Sequence, residues 1–488
     1  MPKPQKHLLS VLEPDASRVP ARWLRSMQRI HFVGIGGAGM GGIAEVLVNL
    51  GFQVSGSDRY ANAMVRRLQS QGVDVHLGHD AQWVAGCGLV VRSSAISDDN
   101  PELAEARRLR IPVVPRAQML AELMRLRAGI AIAGTHGKTT TTSLVACLLA
   151  EGGLDPTYVV GGLVTASGVN ARLGKGRYLV AEADESDASF LLLHPVMAVV
   201  TNIDADHLQA YGGDFSRLRQ AFIDFLQHLP FYGHAVVCLD DPQIAGLLPS
   251  ISKQIMTYGI TSDADIRATD IRSEGPRSHF TISARDADPL AVTLNLPGTH
   301  NVLNALAAVA VARLTGVDDE AVRRGLSSFQ GIARRLQQFG LRQTPTGAIV
   351  LVDDYAHHPT ELAATMQAAR AAWPQRRLVV AFQPHRYTRT RDLLDDFAVR
   401  LSEPDVLVLL EVYPAGEAPI AGADGRSLCR AIRARGQTEP VFCEHLEAIP
   451  EVLENLLEQG DVLLVSGAGD IGTLATALCD RWPEQART

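Results

Sequence analysis

The sequence predicts an α/β protein, built from parallel sheets with crossover helices and divided into several domains. Three observations carry this prediction. Short apolar runs alternate with helical patterns almost throughout the chain. Two of those runs end in glycine-rich turns that open helices, at residues 34–39 and 134–140. The chain has 488 residues, more than one ordinary core holds, so roughly two to four domains are expected.

In chain order, Ile30-His31-Phe32-Val33 reads as a strand that runs into the first glycine turn. A helix through Ile43-Ala44-Glu45-Val46-Leu47 follows, then strands at Gln53-Val54-Ser55, Leu89-Val90-Val91 and Pro112-Val113-Val114. Gly129-Ile130-Ala131-Ile132-Ala133 begins a second sheet and feeds the second glycine turn. Tyr178-Leu179-Val180-Ala181 and residues 196–201 continue that sheet. Between 266 and 296 the pattern becomes polar alternation, as in Phe280-Thr281-Ile282-Ser283, which predicts antiparallel edge strands. A third α/β unit starts near Gly331, with strands at 348–352, 378–382, 406–410 and 462–465. The expected domains are therefore 1–127, 128–330 and 331–488.

Composition excludes some functions. A net charge of -7 argues against wholesale neutralisation of a nucleic-acid backbone, and 5% aromatic residues argue against stacking platforms for single strands. Six scattered cysteines with no CxxC pair imply reduced thiols rather than disulfides or structural zinc. The run Leu8-Leu9-Ser10-Val11-Leu12 is too short for a signal peptide, and no window approaches the roughly 18 apolar residues of a membrane span. A soluble, cytoplasmic protein is expected.

The first turn is Gly34-Ile35-Gly36-Gly37-Ala38-Gly39. Its glycines permit close approach of a pyrophosphate to a helix N-terminus, and Asp58, about 20 residues on, is placed to accept a ribose hydroxyl. Taken alone this suggests NAD, and tight packing of helix on strand is the alternative. The same spacing recurs at Gly467-Ala468-Gly469-Asp470-Ile471-Gly472, where packing is the favoured explanation. The second turn, Gly134-Thr135-His136-Gly137-Lys138-Thr139-Thr140, carries more information. Such backbone amides cradle phosphates, Lys138 supplies a point charge and Thr139 offers a hydroxyl to Mg²⁺. It departs from the full Walker A spacing, since Ile132 stands at the first glycine position.

Metal ligands for such a loop should come from neighbouring strand ends. Glu182-Ala183-Asp184-Glu185-Ser186-Asp187 and Thr201-Asn202-Ile203-Asp204-Ala205-Asp206-His207 both follow apolar strands. Oxygen ligands with one imidazole suit Mg²⁺ or Mn²⁺.

Together with Gly298-Thr299-His300-Asn301-Val302-Leu303-Asn304-Ala305 and Asp354-Tyr355-Ala356-His357, these segments stand in the order seen in Mur ligases, which the chain resembles over nearly its whole length. The first turn, continued to Met40, and Phe382-Gln383-Pro384-His385-Arg386-Tyr387 resemble the alanine-adding branch of that family. The recycling branch, which attaches a tripeptide, resembles the chain less.

The resemblance implies three domains: a Rossmann-like N-terminal domain for the UDP substrate, a central P-loop ATPase-type domain, and a C-terminal Rossmann-like domain for the amino acid. It implies that Gly36, Gly37, Ala38, Gly39 and Met40 approach the diphosphate, with Asp58, Ser93 and Ser94 near the nucleotide and His79 reaching the phosphates. Gly134, Thr135, His136, Gly137, Lys138, Thr139 and Thr140 would hold ATP. Thr139, Glu182 and His207 would hold metal, with Glu185 as the alternative to Glu182. Asn301 and Asn304, three apart on one helical face, would read adenine, and Tyr355 would touch the nucleotide. Arg335 would reach toward the transferring phosphate, although Leu336 and Gln337 depart from the family's aromatic–acidic pair. His357, His385, Arg386 and Arg389 would receive L-alanine, with His357 as base.

The implied reaction joins L-alanine to UDP-N-acetylmuramate, using ATP and Mg²⁺ (Mn²⁺ as substitute) through an acyl phosphate, in peptidoglycan synthesis. The rival readings are a tripeptide-adding ligase, an NAD-dependent dehydrogenase built on the first turn, and a nucleotide-sensing regulator.

Overall fold

The apolar run at the start of the first domain forms the middle of a five-stranded parallel sheet. In spatial order its strands are Asp74–Leu77, Gln53–Asp58, Arg29–Val33, Leu89–Arg92 and Val113–Pro115. Strand order reverses between Arg29–Val33 and Leu89–Arg92, so a crevice opens at their carboxyl ends. The structure, a computed structural model, describes residues 27, 29–164, 169–285 and 287–485. The run Leu8–Leu12 lies outside the described residues. Among them, no helix is long and apolar enough to cross a membrane.

The chain forms two compact units. The first runs to Arg267 and includes 284–287 and 304–325. Besides the first sheet it contains the strands Val169–Arg172, Thr157–Val164, Tyr178–Glu182, Ala128–Ala133, Met197–Val200, His234–Cys238 and Gln254–Gly259, again in spatial order. All pair in parallel except the hairpin of the first two. Ala128–Ala133 lies between Tyr178–Glu182 and Met197–Val200, which brings the second glycine turn and both acidic segments to one sheet edge.

The second unit holds residues 268–283 and 288–294 of the neighbouring strands Ile266–Glu274, Arg277–Ala284 and Ala287–Leu294, whose two-residue connections permit only antiparallel pairing. It also holds a six-stranded sheet in the order Gln337–Thr344, Gly347–Asp354, Val462–Ser466, Leu378–Phe382, Val406–Leu410, Val441–Cys443. Only the pairing of Gln337–Thr344 with Gly347–Asp354 is antiparallel. Alternate residues of its strands serve two cores. Val350, Val352, Val380, Phe382, Leu407 and Leu464 face one, while Ile349, Leu351, Val379, Val408, Leu463 and Val465 face the other. Burial on both faces explains why these strands read as unbroken apolar runs.

The expected strands are present, with ends shifted by up to three residues. Periodicity did not reveal Asp74–Leu77, Thr157–Val164, Val169–Arg172, His234–Cys238, Gln254–Gly259, Gln337–Thr344 or Val441–Cys443.

Candidate active site

At the first crevice, the amides of Gly34 and Ile35 both donate to Ser57 O, at 2.9 and 3.0 Å, which pins the turn to the adjacent strand. Gly36 N donates to Asp58 Oδ2 at 2.8 Å, and Asn62 Nδ2 donates to Gly36 O at 3.0 Å. Asp58 thus braces the turn directly. A Cβ on Gly36 would stand 2.8 Å from both partners, so a larger residue there would displace one of these side chains and disturb the brace. Gly37 caps the helix Ala38–Asn49, and Gly37 and Ala38 are exposed, leaving a helix N-terminus accessible to an anion. Gly39 is partly exposed, and Met40 is buried in the core. Ser93 lines the opposite lip, its Cβ 3.1 Å from where a Cβ on Gly34 would be, and Ser94 follows it.

His79 belongs to a buried polar network that the sequence did not reveal. Glu102 accepts from His79 Nδ1 at 2.7 Å, Ser57 Oγ at 2.8 Å and His31 Nε2 at 2.6 Å. His31 Nδ1 lies 2.9 Å from Ser55 Oγ. With both carboxylate oxygens occupied, the Nδ1 proton of His79 is fixed toward Glu102. Its Nε2 is buried and lacks a hydrogen-bond partner. Asn100-Pro101-Glu102 is a helix-start pattern that could have pointed to Glu102, but an acid in a first helical turn is usually solvated.

At the second crevice, Gly134 and Gly137 have φ of 125° and 81°, and Gly137 caps the helix Lys138–Glu151. The turn is held from the next strand end: His136 N donates to Asn202 Oδ1 at 2.8 Å, and Thr201 Oγ1 and Asn202 Nδ2 donate to His136 O at 2.6 and 3.0 Å. His136 Nε2 lies 3.1 Å from Asp204 Oδ2. Lys138 Nζ donates to Gly134 O and Thr135 O at 2.7 and 3.0 Å, and to both oxygens of Glu185 at 2.8 and 3.0 Å. Burial alone would lower the lysine pKa, but Glu185, Asp184 and Glu182 outweigh it, and the ammonium is held above its ordinary value. Lys138 is therefore a permanent cation. Burial pushes the Glu185 carboxyl up to about 7 against the pull of Lys138.

Glu182 and Glu185 are separated by these contacts. Glu185 is the counter-ion of Lys138, and its own carbonyl accepts from Tyr211 Oη at 2.6 Å. Glu182 uses one oxygen on Gly161 N, at 2.6 Å. Thr139 and Thr140 are buried in the first helical turn, and His207 has a left-handed backbone (φ 56°) beside Asp206. The hydroxyl, carboxylate and imidazole of Thr139, Glu182 and His207 are mainly hard donors, the chemistry a divalent cation of the Mg²⁺ type takes. Asn304 Oδ1 accepts from Thr141 Oγ1 at 3.1 Å and stands where a Cβ on Gly137 would come within 2.5 Å. Asn301 Nδ2 donates to Pro297 O at 2.8 Å. Both amides are buried.

In the second unit, Arg334 and Leu336 are left-handed (φ 60° and 47°) on either side of Arg335. Leu336 N donates to Asp354 Oδ2 at 2.7 Å and Tyr355 N to Arg334 O at 2.7 Å, moulding this segment onto a strand end. The guanidinium carbons of Arg334 and Arg335 lie 5.0 and 5.2 Å from the Tyr355 ring centroid. His357 Nδ1 is 3.0 Å from Tyr355 O, and a carbonyl only accepts, so Nδ1 carries a proton. In the neutral ring the basic lone pair is then on Nε2. The His385 ring stacks on Tyr413 at 5.5 Å and meets His357 edge-on at 5.8 Å. Burial, with His357, Arg389 and Arg386 nearby, lowers the His385 pKa to about 4, so it is neutral at physiological pH. Arg386 (φ 72°) caps the short helix Tyr387–Asp392 that carries Arg389, and its side chain is half exposed.

The fold and these turns define a class of enzyme. The descriptions "Mur ligase family, catalytic domain", "Mur ligase middle domain" and "Mur ligase, glutamate ligase domain" match residues 29–128, 132–312 and 334–469. The chain belongs to the Mur ligase family, ATP-dependent ligases of peptidoglycan synthesis with three α/β domains. That membership displaces the dehydrogenase reading of the first turn. Within the family, the chain is similar to the UDP-N-acetylmuramate-alanine ligase MurC from Thermotoga maritima, at 30% identity and a TM-score of 0.79, over 93% of this chain and 98% of that one. It is also similar to the murein peptide ligase mpl from Psychrobacter arcticus 273-4, at 25% identity and a TM-score of 0.69 over the same shares. MurF from Acinetobacter baumannii, at 20% identity and a TM-score of 0.61 over 93% and 94%, shares the fold.

Proposed function

We propose that the chain joins L-alanine to UDP-N-acetylmuramate, converting ATP to ADP and phosphate through an acyl phosphate. One observation carries this choice within the family. Whole-length similarity to UDP-N-acetylmuramate-alanine ligase exceeds that to murein peptide ligase in both identity and TM-score. The murein peptide ligase similarity supports a second reading, a ligase that attaches a peptide.

A carboxylate and an amine do not condense unaided, because the carboxylate is a weak electrophile with a poor leaving group. Transfer of the γ-phosphoryl group of ATP to the sugar's carboxylate supplies the leaving group. The amine then attacks the carbonyl carbon and phosphate departs. We assign Lys138 and Arg335 to balance charge on the transferring phosphoryl group. Residues 134–140 hold the phosphates, and Asn301, Asn304 and Tyr355 the nucleoside. Thr139, Glu182 and His207 would hold Mg²⁺, which screens phosphate charge when bound. Residues 36–40, Asp58, His79, Ser93 and Ser94 serve the UDP group. His385, Arg386 and Arg389 receive L-alanine, and His357 Nε2 takes the proton of its ammonium. Domain limits near residues 127 and 331 separate these three tasks.

The test is substrate-dependent ADP release. It should require UDP-N-acetylmuramate, Mg²⁺ and L-alanine together, and ¹⁸O placed in the sugar's carboxylate should appear in the phosphate released. Turnover indifferent to L-alanine, or favouring a tripeptide, would reject the alanine assignment.

A further inference from the structure

We propose that Arg116, which no motif singled out, is a substrate-binding residue that clamps an oxygen pair of the nucleotide-sugar's diphosphate. The inference rests on the UDP-substrate reading given above. Arg116 is the first residue of the helix Arg116–Arg125, directly after the strand Val113–Pro115 at the edge of the first sheet. Its side chain reaches the first glycine turn: Nη1 lies 3.1 Å from where a Cβ on Gly39 would stand. Nη2 lies 3.4 Å from Asp184 Oδ2, one residue before the counter-ion of Lys138. The guanidinium therefore sits between the turn assigned to the diphosphate and the acidic strand end beside the phosphate loop.

Its hydrogen bonding leaves most of its donors over, at the mouth of the turn assigned to the diphosphate. A guanidinium has five N–H donors, and among the described residues this one makes a single long contact although its side chain is only 23% exposed. Arg377, with 30% of its side chain exposed, makes contacts at 2.7 Å to Glu458, at 2.9 and 3.0 Å to Asp461 and at 2.9 Å to Leu456 O. Arg67, at 31%, is forked onto Glu45 at 2.7 and 3.2 Å. Those two arginines are anchored by short contacts to the fold, whereas Arg116 keeps donors for a planar anionic oxygen pair. The exposed N-terminus at Gly37 and Ala38 offers the same anion backbone amides.

Calorimetry on the full-length protein with UDP, UDP-N-acetylglucosamine and UDP-N-acetylmuramate tests this. Arg116→Met should weaken all three by at least about tenfold, the loss of one charge-assisted pair. Arg116→Lys should recover part of that loss. The KM for UDP-N-acetylmuramate should rise while kcat, the KM for ATP and the melting temperature stay close to wild type. Unchanged UDP affinity in Arg116→Met overturns the inference. So does a loss confined to UDP-N-acetylmuramate, which would place Arg116 on the sugar's carboxylate, or a parallel loss of ATP affinity and melting temperature. If the wild-type protein binds none of the three, the UDP-substrate reading itself falls, and that outcome is read before any variant.

Discussion

Gly137 shows how closely a single backbone position is specified. Its φ is 81°, and a Cβ there would stand 2.5 Å from Asn304 Oδ1, so Gly137→Ala combines backbone strain of about 1–3 kcal/mol with a clash in the loop. The expected result is at least about a tenfold rise in the KM for ATP with UDP binding unchanged, read by steady-state kinetics and calorimetry. Asp353 makes a different prediction. Burial raises its carboxyl to about 7 despite Arg334, whose Nε is 3.3 Å away, and its Oδ1 is buried without a partner. The folded pKa is above the unfolded one, so the folded state binds the extra proton between about pH 4 and 7. The stability due to this group is present below about pH 4 and is lost as pH rises toward 7. Relative to Asp353→Asn, the wild type should therefore lose on the order of 2–4 kcal/mol across that window and then level off, measured by urea unfolding at several pH values.

Elements carry the site because they end where the sheets place their carboxyl edges. The helix Pro101–Arg108 shows the dependence: the Asn100 side chain accepts from Glu102 N and Leu103 N at 2.9 and 3.4 Å, and the same first turn delivers Glu102 to His31 and His79. Removing the cap with Asn100→Ala should cost about 1 kcal/mol, seen as a lower urea midpoint at unchanged slope. The hairpin of Thr157–Val164 and Val169–Arg172 bridges two parts of the first unit. Asn170 Nδ2 donates to Ala38 O at 2.7 Å, and Gly161 N donates to Glu182. Its strands carry no clean alternation in residues 157–164, Thr-Tyr-Val-Val-Gly-Gly-Leu-Val, which is why periodicity passed over them.

At the scale of the molecule, the two glycine turns of the first unit stand on separate sheets. Lys138→Ala should therefore abolish ADP formation while leaving the affinity for UDP-N-acetylmuramate within about twofold, as independent sites require. A much weaker UDP-sugar complex in folded variant protein would refute that separation. Residue order by itself determined the α/β class, the glycine turns and the apolar strands, because strand burial and tight turns impose local patterns that a chain must spell out. It also set Lys138 and the strand-end acids side by side, since a parallel sheet gathers the ends of its strands at one edge. Only tertiary structure decided that Glu185 rather than Glu182 partners Lys138, that Asp58 braces its own turn, and that His31, Ser57, His79 and Glu102 form one buried network. It also decided that Arg116 meets Gly39 and Asp184. Such contacts join residues far apart in sequence, and the direction of a charged side chain is set by the packing around it, which leaves no periodic trace.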